Sequence, residues 1–120
     1  MVNDLDFFFE GRGASRPIFD ALAVMVHSIG PVRQRVTKSQ IAFRRCIAFA
    51  WAWIPGQYLH GKTVPLVLSV ALRRRDASPR WKEIAEPYPG RFMHHLELNG
   101  VDDLDDQVRQ WLEEAWCSAK

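Results

Sequence analysis

Residues 41–54 read IAFRRCIAFAWAWI, and this stretch decides the fold. On either side of a polar centre, the odd positions carry large apolar side chains and the even positions are mostly alanine. Such alternation is typical of β-strands, so the stretch predicts a hairpin. A three-residue turn at 45–47 would pair Phe43 with Phe49 and Ile41 with Trp51. We therefore expect every large side chain, Trp51 included, on one buried face.

The flanking segments predict helices at both ends and further strands between them. An initial helical turn covers residues 4–10, a second helix begins at Ser15 as its cap, and Gly30-Pro31 ends it. Alternation predicts strands over 32–38, 66–73 and 92–99, with a short strand near 81–86. A closing helix covers 103–117, with Asp102 as its cap.

We expect one domain over residues 1–120, because a chain of this length buries enough surface for a single core. The order of elements predicts the α+β class: an antiparallel sheet of five or six strands with two N-terminal helices and one C-terminal helix packed on one face. The other face is expected to be partly open, which leaves a surface for binding.

Several short motifs are distinctive: RVTKSQIAFR at 35–44, FAWAW at 49–53, SPR at 78–80, EP at 86–87 and HHLEL at 94–98. With them the chain resembles the bacterial domain of unknown function family 5655, from Phe9 to the last helix. The resemblance implies a stand-alone α+β domain and carries no established activity, cofactor or catalytic residue. Some relatives resemble this domain fused to nuclease-like or restriction-associated parts, which favours a role with nucleic acid by association.

The net charge of +2 hides an uneven distribution along the chain. Residues 31–91 carry twelve Arg or Lys against three acids, whereas residues 92–120 carry two against seven, and residues 1–30 two against four. Either the acidic ends fold over the basic middle and pair with it, or one exposed surface is positive.

Two groups of cations in the basic middle are candidate anion ligands. The predicted floor, on the sheet, comprises Arg33, Arg35, Lys38 and Arg44; the predicted rim, around a loop, comprises Arg73, Arg74, Arg80 and Lys82. Guanidinium groups hold phosphates or carboxylates bidentately. The leading hypothesis is therefore a binding domain for nucleic acid or a nucleotide with little base specificity. The alternative is a solvated face whose charges pair with the acidic ends.

Aromatic residues near these cations suggest a second contribution to binding. Trp51, Trp53 and Tyr58 could stack bases, as aromatic side chains do on other single-strand-binding sheets. The predicted hairpin register instead favours Trp51 as a core residue, so the two interpretations compete.

The adjacent pair His94-His95 suggests a third function, a small enzyme. Neighbouring residues of a strand point to opposite faces, so the two rings cannot share a metal. His94 falls on the apolar side and is expected to be a hydrogen-bonded core residue. His95 shares the other face with Glu97, and such a pair can act as an acid–base couple. No nucleophile is placed, and we expect neither a metal nor a cofactor.

Partners and location complete the predictions. An aromatic patch drawn from Phe7–Phe9, Trp81 or Trp116 would support a homodimer or another protein partner. The acidic N-terminus is unlike a secretory leader, and no apolar run is long enough to span a membrane. Cys46 and Cys117 form no metal or redox motif, which is typical of a reducing compartment, so we expect a cytoplasmic protein without a membrane partner.

Overall fold

The computed structural model describes residues 4–57 and 62–120; Tyr58, a predicted stacking residue, lies outside them. Within these ranges the helices are Asp4–Phe8 (α1), Ser15–Ile29 (α2) and Asp106–Ser118 (α3). The strands are Arg33–Val36 (β1), Ile41–Arg44 (β2), Ala48–Trp53 (β3), Leu66–Leu72 (β4), Glu83–Tyr88 (β5) and Arg91–Leu98 (β6). Short 3-10 turns cover Pro55–Gln57 and Val101–Asp103. The predicted α+β class is confirmed.

The six strands form one sheet in the order β1-β2-β3-β4-β6-β5, and every neighbouring pair is antiparallel. β5 lies at an edge as the outer half of a hairpin with β6, and Tyr88 is directly opposite Arg91. The turn between them is Pro89-Gly90, and Gly90 has a φ of 81°. A type II turn needs a positive φ at its second central residue, and glycine adopts it without strain.

The helices cover one face of this sheet with apolar side chains. α2 buries Ile18, Phe19, Leu22 and Val26, and α3 buries Val108, Trp111, Leu112 and Ala115. The Phe19 ring stacks on the Phe43 ring of β2, with 6.0 Å between centroids. Burying a side chain of this size contributes about 1.5–3 kcal/mol, so this layer is a large source of stability for the fold.

The register of the β2–β3 hairpin differs from the prediction. The turn at 45–47 is present, because Arg44 lies opposite Ala48, but a β-bulge follows it and shifts the pairing by one residue. Phe43 therefore faces Ala50, and Ile41 faces Ala52. Opposing a large residue with a small one fills the layer under the helices evenly. The predicted pairing is wrong, and Trp51 lies on the other face of the sheet, opposite Ala42 and Ser69.

Two predicted helix caps are also wrong. Ser15 is the first residue of α2, and its hydroxyl donates a 2.6 Å hydrogen bond to the Pro65 carbonyl oxygen. Helix α3 begins later than predicted because the 3-10 turn precedes it, and Asp105 rather than Asp102 is its cap. The Asp105 carboxylate accepts a 3.1 Å hydrogen bond from the Val108 amide, as an N-cap requires.

The aromatic residues predicted to form an exposed patch are mostly covered. Phe8, Phe9 and Trp81 are buried, whereas the Phe7 side chain is 70% exposed. Trp116 is half-buried under the Arg45 guanidinium, which lies 3.7 Å from the ring centroid. Among the described residues, no helix combines the length and the apolar character needed to cross a membrane.

Candidate functional site

A continuous row of side chains crosses all six strands on the face opposite the helices. In cross-strand register the row is Arg35, Ala42, Trp51, Ser69, His95 and Glu83. It begins with a cation on β1, passes an aromatic ring in the middle, and ends with a carboxylate on β5. We call this surface the open face, and the alternation of each strand adds Arg33, Arg44, Trp53 and Glu97 to it.

Three side chains of the open face form a hydrogen-bonded chain. The Trp53 indole Nε1–H donates to Ser69 Oγ at 2.9 Å, and Ser69 Oγ lies 2.7 Å from His95 Nδ1. The Trp53 and His95 rings meet edge to face, with 6.2 Å between centroids. The hydrogen bonds and the ring contact hold both rings in one arrangement.

A depression of about 470 Å³ lies over this chain; its lining residues are Ser39, Gln40, Trp51, Trp53, Ser69, Met93 and His95. The Arg91 guanidinium lies 5.8 Å from the centroid of the Trp51 ring and donates a 3.1 Å hydrogen bond to the Ala48 carbonyl oxygen. The depression therefore combines two indole rings, polar groups and a neighbouring cation.

Burial sets the protonation of the histidine in this depression. Loss of hydration lowers the pKa of His95, and the negative charge of Glu83 on β5 only partly opposes that effect. Because the ordinary histidine pKa is 6.5, His95 is neutral at pH 7. A neutral imidazole has one N–H donor and one acceptor nitrogen.

The structure places three of the four floor residues on the open face. Arg33 and Arg44 are directly opposite in register, and an Arg33 N–H donates to the Arg45 carbonyl oxygen at 3.2 Å. Within residues 4–57 and 62–120, Arg35 and Arg44 make no ion pair. Lys38 lies in the β1–β2 loop and lines a separate depression with Phe7.

The rim residues lie against the helix layer instead. Arg73 donates to the Ser118 carbonyl oxygen at 3.1 Å, and Arg74 forms two 2.8–2.9 Å hydrogen bonds with the Glu114 carboxylate. Arg80 contacts both carboxylate oxygens of Asp105 at 3.0 Å. The hydrogen bond from Arg80 has the largest effect on the pKa of Asp105, which it lowers. The acidic C-terminal segment thus pairs with Arg74 and Arg80, whereas the floor arginines make no ion pair with any residue that the structure describes.

A separate depression is lined by Lys82, the remaining rim residue, and by Glu97, the predicted acid–base residue. Glu97 is opposite Val67 in register, whereas His95 is opposite Ser69. Among the described residues, the hydrogen-bond partner of the His95 side chain is Ser69, and no hydrogen bond joins it to Glu97. The structure therefore does not bring His95 and Glu97 into one cavity.

His94 occupies the core, as predicted. Its Nε2 accepts a 3.0 Å hydrogen bond from the Asp76 amide, and its Nδ1 lies 3.1 Å from the Phe92 carbonyl oxygen, to which Nδ1–H donates. Trp81 packs on it with 4.8 Å between ring centroids. Both nitrogens are satisfied, so His94 has a structural role.

Sequence reasoning missed two residues of the site, Ser69 and Arg91. The alternation of Leu66, Leu68 and Val70 already placed Ser69 on the opposite face of its strand. The same alternation in β6 places Arg91 with His95. The signal for both was therefore present, but a single serine or arginine in a strand carries no motif.

The fold and the open face define a small α+β domain with helices on one side of an antiparallel sheet and a polar, aromatic surface on the other. The family model for a domain of unknown function, DUF5655, matches residues 6–119. The chain therefore belongs to this family. No curated protein and no solved structure matches the chain.

Proposed function

We propose that the open face binds single-stranded nucleic acid, with nucleotides as the smallest ligands of the same chemistry. The single observation that carries this proposal is the β2–β3–β4 register, which turns Trp51 away from the core. A partly exposed indole ring thus shares one sheet surface with Arg33, Arg35 and Arg44, which make no ion pair among the described residues. Stacking on aromatic side chains and a groove of positive charge are the two parts of sequence-tolerant single-strand binding.

The arginines of β1 and β2 are suited to phosphate. Arg33 and Arg44 face each other across two strands, and like charges directly opposite each other destabilise a sheet. A phosphate between them would remove that repulsion and accept charge-assisted hydrogen bonds. Arg33 is exposed and Arg44 is half-buried, so both residues remain open to solvent.

The spacing of the row fits a base and its phosphate. Neighbouring strands lie about 4.8 Å apart, so the backbone of Arg35 is about 10 Å from that of Trp51. The residue between them is Ala42, whose methyl group leaves both longer side chains free above it. A base stacked on Trp51 would therefore have its phosphate within reach of Arg35.

Stacking of this kind requires an unpaired base, which distinguishes single strands from duplex. Fluorescence anisotropy with a labelled oligonucleotide at low salt should show tighter binding of the single strand than of its duplex. Trp51→Ala should weaken single-strand binding by about 1–2 kcal/mol, roughly tenfold. Phe7→Ala removes a more exposed aromatic ring, which lies on α1 and lines a separate depression, and should leave affinity nearly unchanged.

Two results would overturn the proposal. One is the lack of any complex tighter than millimolar with single-stranded DNA, RNA or nucleotides at low salt. The other is an equal loss of affinity in Trp51→Ala and Phe7→Ala.

We place this activity in the cytoplasm, where single-stranded RNA and exposed thiols both persist. Cys46 and Cys117 are exposed free thiols, which supports a reducing compartment. Thiol alkylation in intact cells, followed by mass spectrometry, should find both cysteines reduced; a disulfide would count against this location.

A further inference from the structure

The hydrogen positions in the Trp53–Ser69–His95 chain follow from the donors available. An indole N–H only donates, so Ser69 Oγ accepts from Trp53. If His95 Nδ1 also carried a hydrogen, the Ser69 hydroxyl hydrogen would have no acceptor, although Ser69 is 4% exposed. Leaving a buried donor unpaired costs about 1–3 kcal/mol. The hydroxyl therefore donates to Nδ1, and the hydrogen of the imidazole is on Nε2.

That Nε2–H has no acceptor in the part of the chain that the structure describes. No buried side-chain nitrogen or oxygen there lacks a partner, so Nε2 is in contact with solvent. His95 lines the depression together with Trp51, Gln40 and Ser39. The depression thus contains a fixed, neutral N–H donor beside an indole face.

We propose that this depression holds one nucleobase, stacked on Trp51, whose carbonyl oxygen accepts a hydrogen bond from His95 Nε2–H. The inference rests on the proposed single-strand binding and adds a preference to it. A base with a keto oxygen at that edge makes the hydrogen bond, whereas a base with an amino group there places two donors against each other. Met93 adds an apolar side chain to the lining of this depression, and its flexibility lets it adapt to a purine or a pyrimidine ring.

Hypoxanthine and adenine are the matched probes, because they share one ring system and differ only along one edge. Hypoxanthine has a keto oxygen at C6 and an N1–H donor there, and adenine has an amino group at C6 and an acceptor at N1. Each is placed as the one base of a short oligonucleotide whose other positions are abasic, so that phosphate contacts are equal. Anisotropy titrations of the intact chain at pH 7 should show three- to tenfold tighter binding of the hypoxanthine strand, about the worth of one neutral hydrogen bond.

Variants assign the preference to the chain of hydrogen bonds. His95→Leu should remove the preference for hypoxanthine but still bind a strand in which every position is abasic. His95→Gln has an N–H donor of similar reach and should keep part of the preference. Ser69→Ala frees both rings and should reduce it. His27→Leu is the control, because it removes an exposed histidine of α2 on the helix side of the sheet, and it should leave the preference unchanged.

The possible results separate the two proposals. If the unaltered protein binds the hypoxanthine and adenine strands equally, the base pocket is overturned while single-strand binding stands. This comparison needs no variant that might unfold. A preference that survives His95→Leu in a folded protein also overturns it. The lack of binding to either strand overturns the proposed function itself.

Discussion

At the scale of single residues, two adjacent histidines of one strand have different surroundings. His94 is buried with both nitrogens bonded, whereas His95 presents Nε2 to a depression. Alternation along the strand predicted this division, because it depends only on which face each side chain takes. It could not predict the partners, since Asp76 and Ser69 come from other segments of the chain.

The same two residues predict how stability depends on pH. Burial lowers the pKa of both His94 and His95 below the ordinary value of 6.5. Below that pH the unfolded chain binds more protons than the folded chain, so the free energy of unfolding decreases as the pH falls from about 6.5. Urea unfolding measured from about pH 8 to pH 5 should show full stability at the upper end and a steady loss below pH 6.5.

Asp76 shows that a carboxylate loses its stabilising effect in a lower pH range than the histidines do. Hydrogen bonds from Trp81 and two other donors outweigh the effect of burial and lower the pKa of Asp76, so its contribution is lost only below its ordinary value of 3.8. Losses between pH 6.5 and 5 therefore belong to the histidines. His95→Gln should make that loss shallower, and a free energy of unfolding that is constant over the range would contradict the prediction.

At the scale of elements, most of the fold followed from alternation and from helix-ending residues, but the hairpin register did not. The large-small pattern of residues 41–54 predicted the strands and the turn at 45–47 correctly. The bulge beyond the turn reverses which face each later residue takes. With the bulge, Ala50 and Ala52 are buried in the core, and such long-range packing is not contained in the local pattern.

The junction between α2 and β1 depends on a close approach of α3. A Cβ atom at Gly30 would lie 2.5 Å from Cζ2 of Trp116, whose Nε1–H donates a 3.0 Å hydrogen bond to the Pro31 carbonyl oxygen. Gly30→Ala should therefore destabilise the protein by about 1–3 kcal/mol, because the indole and the Arg45 side chain stacked on it must move. Denaturant unfolding measures the change.

Gly13 supplies the matched control for that substitution. A Cβ atom there meets nothing within 4 Å, and its φ is not positive. Gly13→Ala should leave stability unchanged or raise it by about 0.4–1 kcal/mol through the unfolded state. Equal effects at the two glycines would show that the approach of Trp116 does not constrain this junction.

At the scale of the whole molecule, the uneven charge of the sequence is divided between two faces. The acidic C-terminal segment pairs with Arg74 and Arg80, so part of the basic middle is neutralised within the fold. Arg35 and Arg44 have no such partner among the described residues. The sequence predicted both outcomes as alternatives, and only the topology decides which cation meets which acid.

This division predicts which arginines determine the salt dependence of binding. For single strands, the logarithm of affinity falls with the logarithm of salt by about 0.7 for each phosphate neutralised. Replacing Arg33, Arg35 and Arg44 together by glutamine should therefore lower the slope by about 2. The corresponding triple replacement of Arg73, Arg74 and Arg80 removes the same charge, but from groups bonded to α3.

The second variant should keep the slope and lose stability instead, by up to about 1 kcal/mol for each exposed ion pair that is broken. Anisotropy titrations over a range of salt concentrations measure the slope, and thermal unfolding measures stability. If net charge alone governed binding, both variants would lose the same slope, because both lower the charge by three. A difference between them therefore assigns the binding surface to the open face, and equal slopes would remove that assignment.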